Sequence, residues 1–273
     1  MGSLEFLYGT AAGRLVLRPL VSRPVSRLCG RFLDTGLSRP LIRPFIRHTG
    51  IDTADYDLSA VRCFNDFFCR PLKRGRRTID RDPDALIAPC DGLLTAVEIR
   101  GDTVLPVKQS RYSLERLLDD RALAAEFQGG TCLVYRLCVE HYHRYSYFDS
   151  GRKGENVFLP GILHTVRPIA LEGNPVFTEN CREYTVVDTE HFGRAVQMEV
   201  GAMLVGKIVN DHPWPRTVTR GEEKGHFAYG GSTIIVLLKK SAALLRPDLI
   251  ALSARGEELP VKLGERIGTA QNR

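Results

Sequence analysis

A chain of 273 residues that is 43% hydrophobic and 26% charged has ordinary globular composition, with apolar residues enough for a substantial core in one large domain or two small ones. Its formal net charge of +6 suits an anionic partner such as an acidic membrane, nucleic acid or a small anion. Seven cysteines with no CxxC pair argue against a disulfide framework or zinc ribbon and for buried thiols, and no run of about 18 apolar residues marks a spanning helix.

Residues 11–50 carry Arg14, Arg18, Arg23, Arg27, Arg31, Arg39, Arg43 and Arg47 against one acid, Asp34, with apolar residues between them. The arginine spacing is near helical, and Pro19, Pro24, Pro40 and Pro44 cut the segment into short helices. Arginines interrupt every apolar stretch near the start, so no secretory signal is expected. We expect residues 1–58 to be a helical, basic, amphipathic region on a membrane surface, each Lys or Arg adding roughly 1 kcal/mol on an anionic leaflet. Two other readings stay open: a solvated helical face packed on the domain, and an Arg-rich transit peptide. Few aromatic platforms accompany the arginines, which disfavours nucleic acid.

Residues 61–80 read as a short aromatic helix and a basic turn, in which Phe64, Phe67 and Phe68 suit either a lipid entry or the core. Arg70, Lys73, Arg74, Arg76 and Arg77 suit either headgroup binding or solvation. The pattern predicts strands over 93–100 and 102–109, a helix over 113–127 ending at Gly129-Gly130, and a strand over 131–140. It also predicts two strands over 194–210 bent at Gly201, a glycine-interrupted strand over 227–240, and a helix over 243–256. The expected fold class is α+β: a β-rich catalytic domain over 59–273, with barrel- or sandwich-like sheets, behind the helical start.

Ser232 follows two glycines and opens onto an apolar run at 234–238. Glycines there permit strained backbone and close approach to the preceding carbonyl. A serine hydroxyl can attack that carbonyl, turning amide to ester. β-Elimination then breaks the chain and leaves a pyruvoyl group at the new N-terminus. Such a ketone can form a Schiff base with an amine and draw off electrons during decarboxylation. The serine needs a base, and the base a carboxylate. Asp91, in a Pro-x-Asp-Gly turn, is the candidate carboxylate, although turn aspartates are common. His141 and His143, at the end of an apolar strand, and His164 are candidate bases. His-x-His alone, with no further ligand at suitable spacing, gives no metal site.

Together these segments resemble the phosphatidylserine decarboxylase family from about residue 60 to 268. The match runs through Phe64-Asn65-Asp66-Phe67-Phe68 with Arg70, Pro89-x-Asp91-Gly92, Tyr142-His143-Arg144-Tyr145 and Pro160-Gly161 with Pro168-Ile169-Ala170. It continues through Glu179-Asn180-x-Arg182, Val200-Gly201-Ala202 with Val205-Gly206, Gly221 to Phe227, and Gly230-Gly231-Ser232-Thr233.

The resemblance implies cleavage between Gly231 and Ser232 into fragments 1–231 and 232–273, which stay together as a heterodimer, with a dimer of these left open. It also implies a pyruvoyl cofactor from Ser232, an Asp-His-Ser relay, and decarboxylation of phosphatidylserine to phosphatidylethanolamine at the cytoplasmic face of a cell membrane. Asp91, His143 and Ser232 carry over. The second histidine of the family's Tyr-His-Arg-x-His run is Ser146 here, and a serine is no base near neutral pH. We therefore expect His164 to supply the imidazole, with His143 serving both roles as the alternative. A non-processing relative and a pyruvoyl decarboxylase of a soluble amino acid are the rival functions.

Overall fold

The structure, a computed structural model, describes residues 10, 12, 15–16, 22–100, 113–162, 164, 176–202, 207–228 and 232–271. The strand expected over 102–109, Arg14, Arg18, Pro19, Pro168 to Ala170, Val205-Gly206 and Gly230-Gly231 lie outside these residues.

The strands are β1 (Ala85–Ile87), β2 (Gly92–Glu98), β3 (Thr131–Leu137), β4 (Arg144–Ser146), β5 (Gly151–Leu159), β6 (Arg182–Thr189) and β7 (Gly193–Val200). They continue with β8 (Ile208–Asn210), β9 (Arg216–Val218), β10 (Glu223–Phe227), β11 (Ser232–Leu238), β12 (Ala243–Leu245), β13 (Leu259–Val261) and β14 (Arg266–Ala270). Eight form one antiparallel sheet in the order β13-β2-β3-β11-β7-β6-β5-β9. Two three-stranded sheets, β1-β14-β12 and β4-β10-β8, make up the rest of the β structure among the described residues. The α+β expectation holds, but β13 and β9 end the large sheet, so it is open rather than a closed barrel.

β11 is buried at every residue and lies between β3 and β7, as its unbroken apolar run Ile234 to Leu238 requires of a central strand. The strand expected over 227–240 is two strands in two sheets, because β10 turns away to pair with β4 and β8.

At the start, α1 (Arg23–Leu33) has Pro24 in its first turn, a 3-10 turn covers Gly36–Leu41, and α2 (Ile42–Thr49) follows. Leu33 packs in one buried cluster with Phe64 and Phe68 of α3 (Phe64–Phe68), and Phe45 meets Phe64 edge-on at 5.1 Å. The other side leaves Leu28 (68%), Phe32 (47%) and Leu37 (78%) exposed. One face thus packs on the domain, and a second presents apolar side chains beside exposed Arg31, Arg39, Arg43 and Arg47. Phe64, Phe67 and Phe68 are buried core, which removes the lipid-entry reading for them.

The single helix expected over 113–127 is two, α4 (Leu114–Leu118) and α5 (Arg121–Ala125). Asp119 adopts a left-handed φ of 52°, and the Asp120 carboxylate accepts from the Leu123 amide at 2.9 Å, starting a new helix. α6 (Val176–Glu179) is a single turn. In 243–256 only α7 (Pro247–Ala254) is helical, because Ala243–Leu245 pair with β14 instead. All seven cysteines are free thiols.

Candidate active site

One row crosses the centre of the large sheet: Leu93 of β2, Arg136 of β3, Thr233 of β11, Val200 of β7 and Arg182 of β6. The strands alternate in direction, so the residues just beyond this row lie at one end of the sheet. They are Asp91, Cys138, Ser232, Gly201 and Asn180. Adjacent strands are about 4.8 Å apart, which brings segments distant in sequence within roughly 20 Å.

Asp91 is buried, 6% exposed. Arg77 grips it through Nε to Oδ1 at 2.9 Å and Nη2 to Oδ2 at 2.5 Å, and the Leu263 amide donates to Oδ1 at 2.9 Å. Such a two-pronged arginine–carboxylate pair is among the strong polar contacts. Arg77 also reaches Asp55 at 3.3 Å, and the Asp91 hydrogen bond raises its pKa. Arg77 is therefore part of the site's frame and not a surface cation for headgroups.

Arg70 is fully buried as well. It donates to the carbonyls of Phe67 at 3.3 Å, Glu140 at 3.0 Å and His141 at 3.2 Å, and lies 4.2 Å over the Tyr56 ring. The sequence offered headgroup binding or solvation for these two arginines, and burial excludes both.

The Arg70 contacts organise the histidine loop. His143 is buried, its ring centroid 4.0 Å from that of Phe68. Its Nδ1 lies 2.9 Å from the His141 carbonyl, which only accepts, so Nδ1 carries the proton and Nε2 is the basic nitrogen. His141 has the opposite arrangement: its Nδ1 accepts from the Cys138 amide at 2.9 Å. Burial lowers the His141 pKa, and the charges of Glu140 and Asp91 oppose that shift. The Phe227 amide donates to the His143 carbonyl at 3.0 Å, tying this loop to β10. Ser146 is buried, and its amide donates to the Pro89 carbonyl at 2.8 Å, beside the Asp91 turn.

His164 enters from the other side. Its amide donates to Asn180 Oδ1 at 2.8 Å, and Asn180 Nδ2 donates to the carbonyls of His164 at 2.8 Å and Gly201 at 2.7 Å. Asn180 thus fastens His164 to the end of β7, the strand beside Ser232. His164 Nε2 lies 3.8 Å from Glu179 Oε2, beyond hydrogen-bond length. Burial lowers the His164 pKa and raises that of Glu179, favouring the neutral form of each. No role was read for Asn180 or Glu179 from the sequence, although both stand in the matched run Glu179-Asn180-x-Arg182.

Ser232 is fully buried, and its Oγ, like Thr233 Oγ1, has no hydrogen-bond partner among the described residues. A buried hydroxyl without a partner costs about 1–3 kcal/mol, so it marks a place where structure serves chemistry. Among the described residues no three His, Cys, Asp or Glu side chains form a metal cluster.

The buried histidines set an acid limit. His141, His164 and His226 all have lowered pKa values, chiefly from burial. The unfolded chain then binds more protons than the folded one just below pH 6.5, the ordinary histidine value. Stability is therefore full above that pH and falls as pH drops through this window. We expect a lower denaturant midpoint at pH 5 than at pH 7. His141→Asn keeps an acceptor for the Cys138 amide and removes one titrating ring, so its acid loss should be smaller. An equal loss would contradict this origin.

Comparison with known proteins matches the family model for phosphatidylserine decarboxylase over residues 64–269. The chain is 40% identical to phosphatidylserine decarboxylase proenzyme 2 of Clostridium acetobutylicum, covering 98% of this chain and 91% of that protein. It is 40% identical to the proenzyme of Ruminiclostridium cellulolyticum, covering 97% and 90%. It is 37% identical to that of Clostridium perfringens, covering 97% and 92%. With a family match that spans the histidine loop, the Asp91 turn and the Ser232 strand, this chain belongs to the phosphatidylserine decarboxylase family.

Proposed function

We propose that the chain cuts itself between Gly231 and Ser232, and that the mature protein converts phosphatidylserine to phosphatidylethanolamine and CO2. The observation that carries this reading is Ser232 itself: fully buried, first in a central strand, with an Oγ that has no partner among the described residues.

In the first step Ser232 Oγ gives up its proton and bonds to the Gly231 carbonyl carbon, and the peptide C–N bond gives way to an ester. Loss of the Ser232 α-proton and breakage of its Cβ–Oγ bond free the Gly231 carboxylate. Water then releases ammonia and leaves a pyruvoyl group at residue 232. That group supplies an electron-withdrawing ketone for the substrate amine. The buried, strand-fixed position of Ser232 fits it.

His164, fastened through Asn180 and Gly201 to the strand beside Ser232, takes the Ser232 proton. His143 presents a basic Nε2 and assists decarboxylation, and it is the alternative base for cleavage. Asp91, fixed by Arg77 and Leu263, offers the negative charge that favours an imidazolium in the adjoining loop.

The helical start, divided from the catalytic domain near residue 58, places Leu28, Phe32 and Leu37 in the apolar layer and the neighbouring arginines on anionic headgroups. No helix among the described residues is long and apolar enough to cross a membrane. In this reading the protein works peripherally, at the cytoplasmic face of a cell membrane, where its lipid substrate lies.

Intact mass measurement tests the reading. We expect two fragments divided at residue 231, the smaller blocked by a carbonyl at its N-terminus, and one uncut, inactive chain for Ser232→Ala. A single unmodified wild-type chain without activity would sink it. His164→Ala should slow cleavage, and normal processing with normal turnover would return the relay to His143.

A further inference from the structure

A cavity of about 630 Å³ separates α1 from the β4-β10-β8 sheet. Ser26, Gly30 and Asp34 line its helix side, and Arg144, Lys207 and His226 its sheet side. The three sheet-side groups sit close together: after burial, the positive charge of Arg144 is the next cause lowering the His226 pKa, and Lys207 contributes further.

Their commitments differ. Arg144 is held by the Cys69 carbonyl at 2.8 Å and Glu223 at 2.5 Å. The Lys207 ammonium is exposed and makes no hydrogen bond or ion pair among the described residues. His226 Nδ1 is buried and has no hydrogen-bond partner among them. The cavity's carboxylates, by contrast, are engaged. Asp34 accepts from Asn65 at 2.7 Å, Asp57 from the Ser59 amide at 3.0 Å, and Asp66 from the Arg62 amide at 2.8 Å. Donors without a partner among the described residues therefore face the cavity from both sides, Lys207 and His226 on the sheet and the Ser26 hydroxyl and exposed Arg31 on the helix, and they call for an anion.

The cavity also abuts the reacting strand. Ala228 lines it, bonds through its amide to the Lys207 carbonyl at 3.1 Å, and stands four residues before Ser232. Four residues span at most about 14 Å. On the far side of α1, Leu28 and Phe32 face outward, which would set the mouth of the cavity at headgroup depth.

We propose that this cavity binds the phosphodiester of the lipid headgroup, with the Lys207 ammonium and the His226 ring contacting the phosphate oxygens and Arg144 bordering them. The assignment rests on the decarboxylase reading above and adds the anion-binding residues to it. Lys207 and Arg31, the lining cations without a hydrogen bond or ion pair among the described residues, suit the negative charge of a diester. The volume exceeds a phosphate and leaves room for the glycerol and the first part of the chains.

The test uses the full chain. With phosphatidylserine in mixed micelles, Lys207→Gln/His226→Gln should raise KM about tenfold, a larger change than in kcat, while self-cleavage by intact mass stays complete. Lys207→Arg should return KM toward wild type. A KM within about twofold of wild type in the double variant overturns the proposal while the decarboxylase reading stands.

A binding arm is independent of turnover. Glycerophosphoserine titrated into Ser232→Ala should bind about tenfold more tightly than into the same protein carrying the two glutamines. Equal binding overturns the assignment. So does tighter binding of inorganic phosphate than of the diester, which would give the cavity to free phosphate. An uncut, inactive wild type counts against the decarboxylase reading instead, and the titration still judges the cavity.

Discussion

Asp91→Asn is expected to leave the purified chain largely uncut at Gly231–Ser232, with cleavage slowed on the order of 10³-fold or more. The substitution keeps the size of the side chain and one acceptor for the Leu263 amide. It removes the charge that Arg77 grips and that favours protonated His141. It also turns an amide donor toward Arg77, itself only a donor. The fold should persist at reduced stability, because Arg77 retains Asp55 at 3.3 Å as a second carboxylate. Asp55→Asn is the control: it weakens the same arginine without touching Asp91 and should be cut normally. Densitometry of denaturing gels over a time course after synthesis measures both. Complete cleavage of Asp91→Asn at the wild-type rate would remove Asp91 from the mechanism.

The largest stability effect is expected from Lys224→Met. Lys224 and Glu199 are both fully buried, 2.5 Å apart, with Asn210 bonded to each, at 3.1 and 3.2 Å. Removing the lysine strands a carboxylate in the core and should cost about 3–5 kcal/mol. Burial already raises the Glu199 pKa, and Lys224 is the first influence opposing that rise. Without Lys224 the folded pKa climbs further, so the folded state binds more protons than the unfolded one above the ordinary value of 4.5. Stability then falls as pH rises. The denaturant midpoint of Lys224→Met should be lower at pH 8 than at pH 6. Adding Glu199→Gln should recover most of the loss and flatten the pH dependence. A variant as stable as wild type at pH 8 would mean that the pair is not buried as described.

What the sequence made legible was local. Ser232 and Asp91 stand out because glycine and turn residues flank them, and β11 because five apolar residues in a row belong in a sheet interior. Arg70 and Arg77 were opaque for the opposite reason. A basic turn looks the same whether its side chains reach water or fold back, and only tertiary structure brings the Glu140 and His141 carbonyls and Asp91 to them. The split of 113–127 turns on Asp120, which lies inside a helical apolar pattern but serves as a cap. Asn180 acts through contacts with His164 and Gly201, 16 and 21 residues away, a separation that spacing patterns do not carry. The change from histidine to Ser146 was visible in the sequence, but the attachment of His164 to the strand beside Ser232 was not.

The central place of β11 bears on what a cut at residue 231 would do. Residues 232–273 supply β11, flanked by β3 and β7, and also β12, β13 and β14, which pair with β1, β2 and one another. The cut would sever the backbone at the mouth of the sheet and leave every rung of these ladders intact. Two polypeptides held in this way are a folded domain with a nick in it, and dilution alone has no easy route to parting them. Once unfolded and separated, however, each piece lacks strands that the other owns. Regaining the native state then becomes a concentration-dependent encounter, whereas the uncut precursor folds as a single molecule. The order of events is thereby constrained: fold first, cut afterwards.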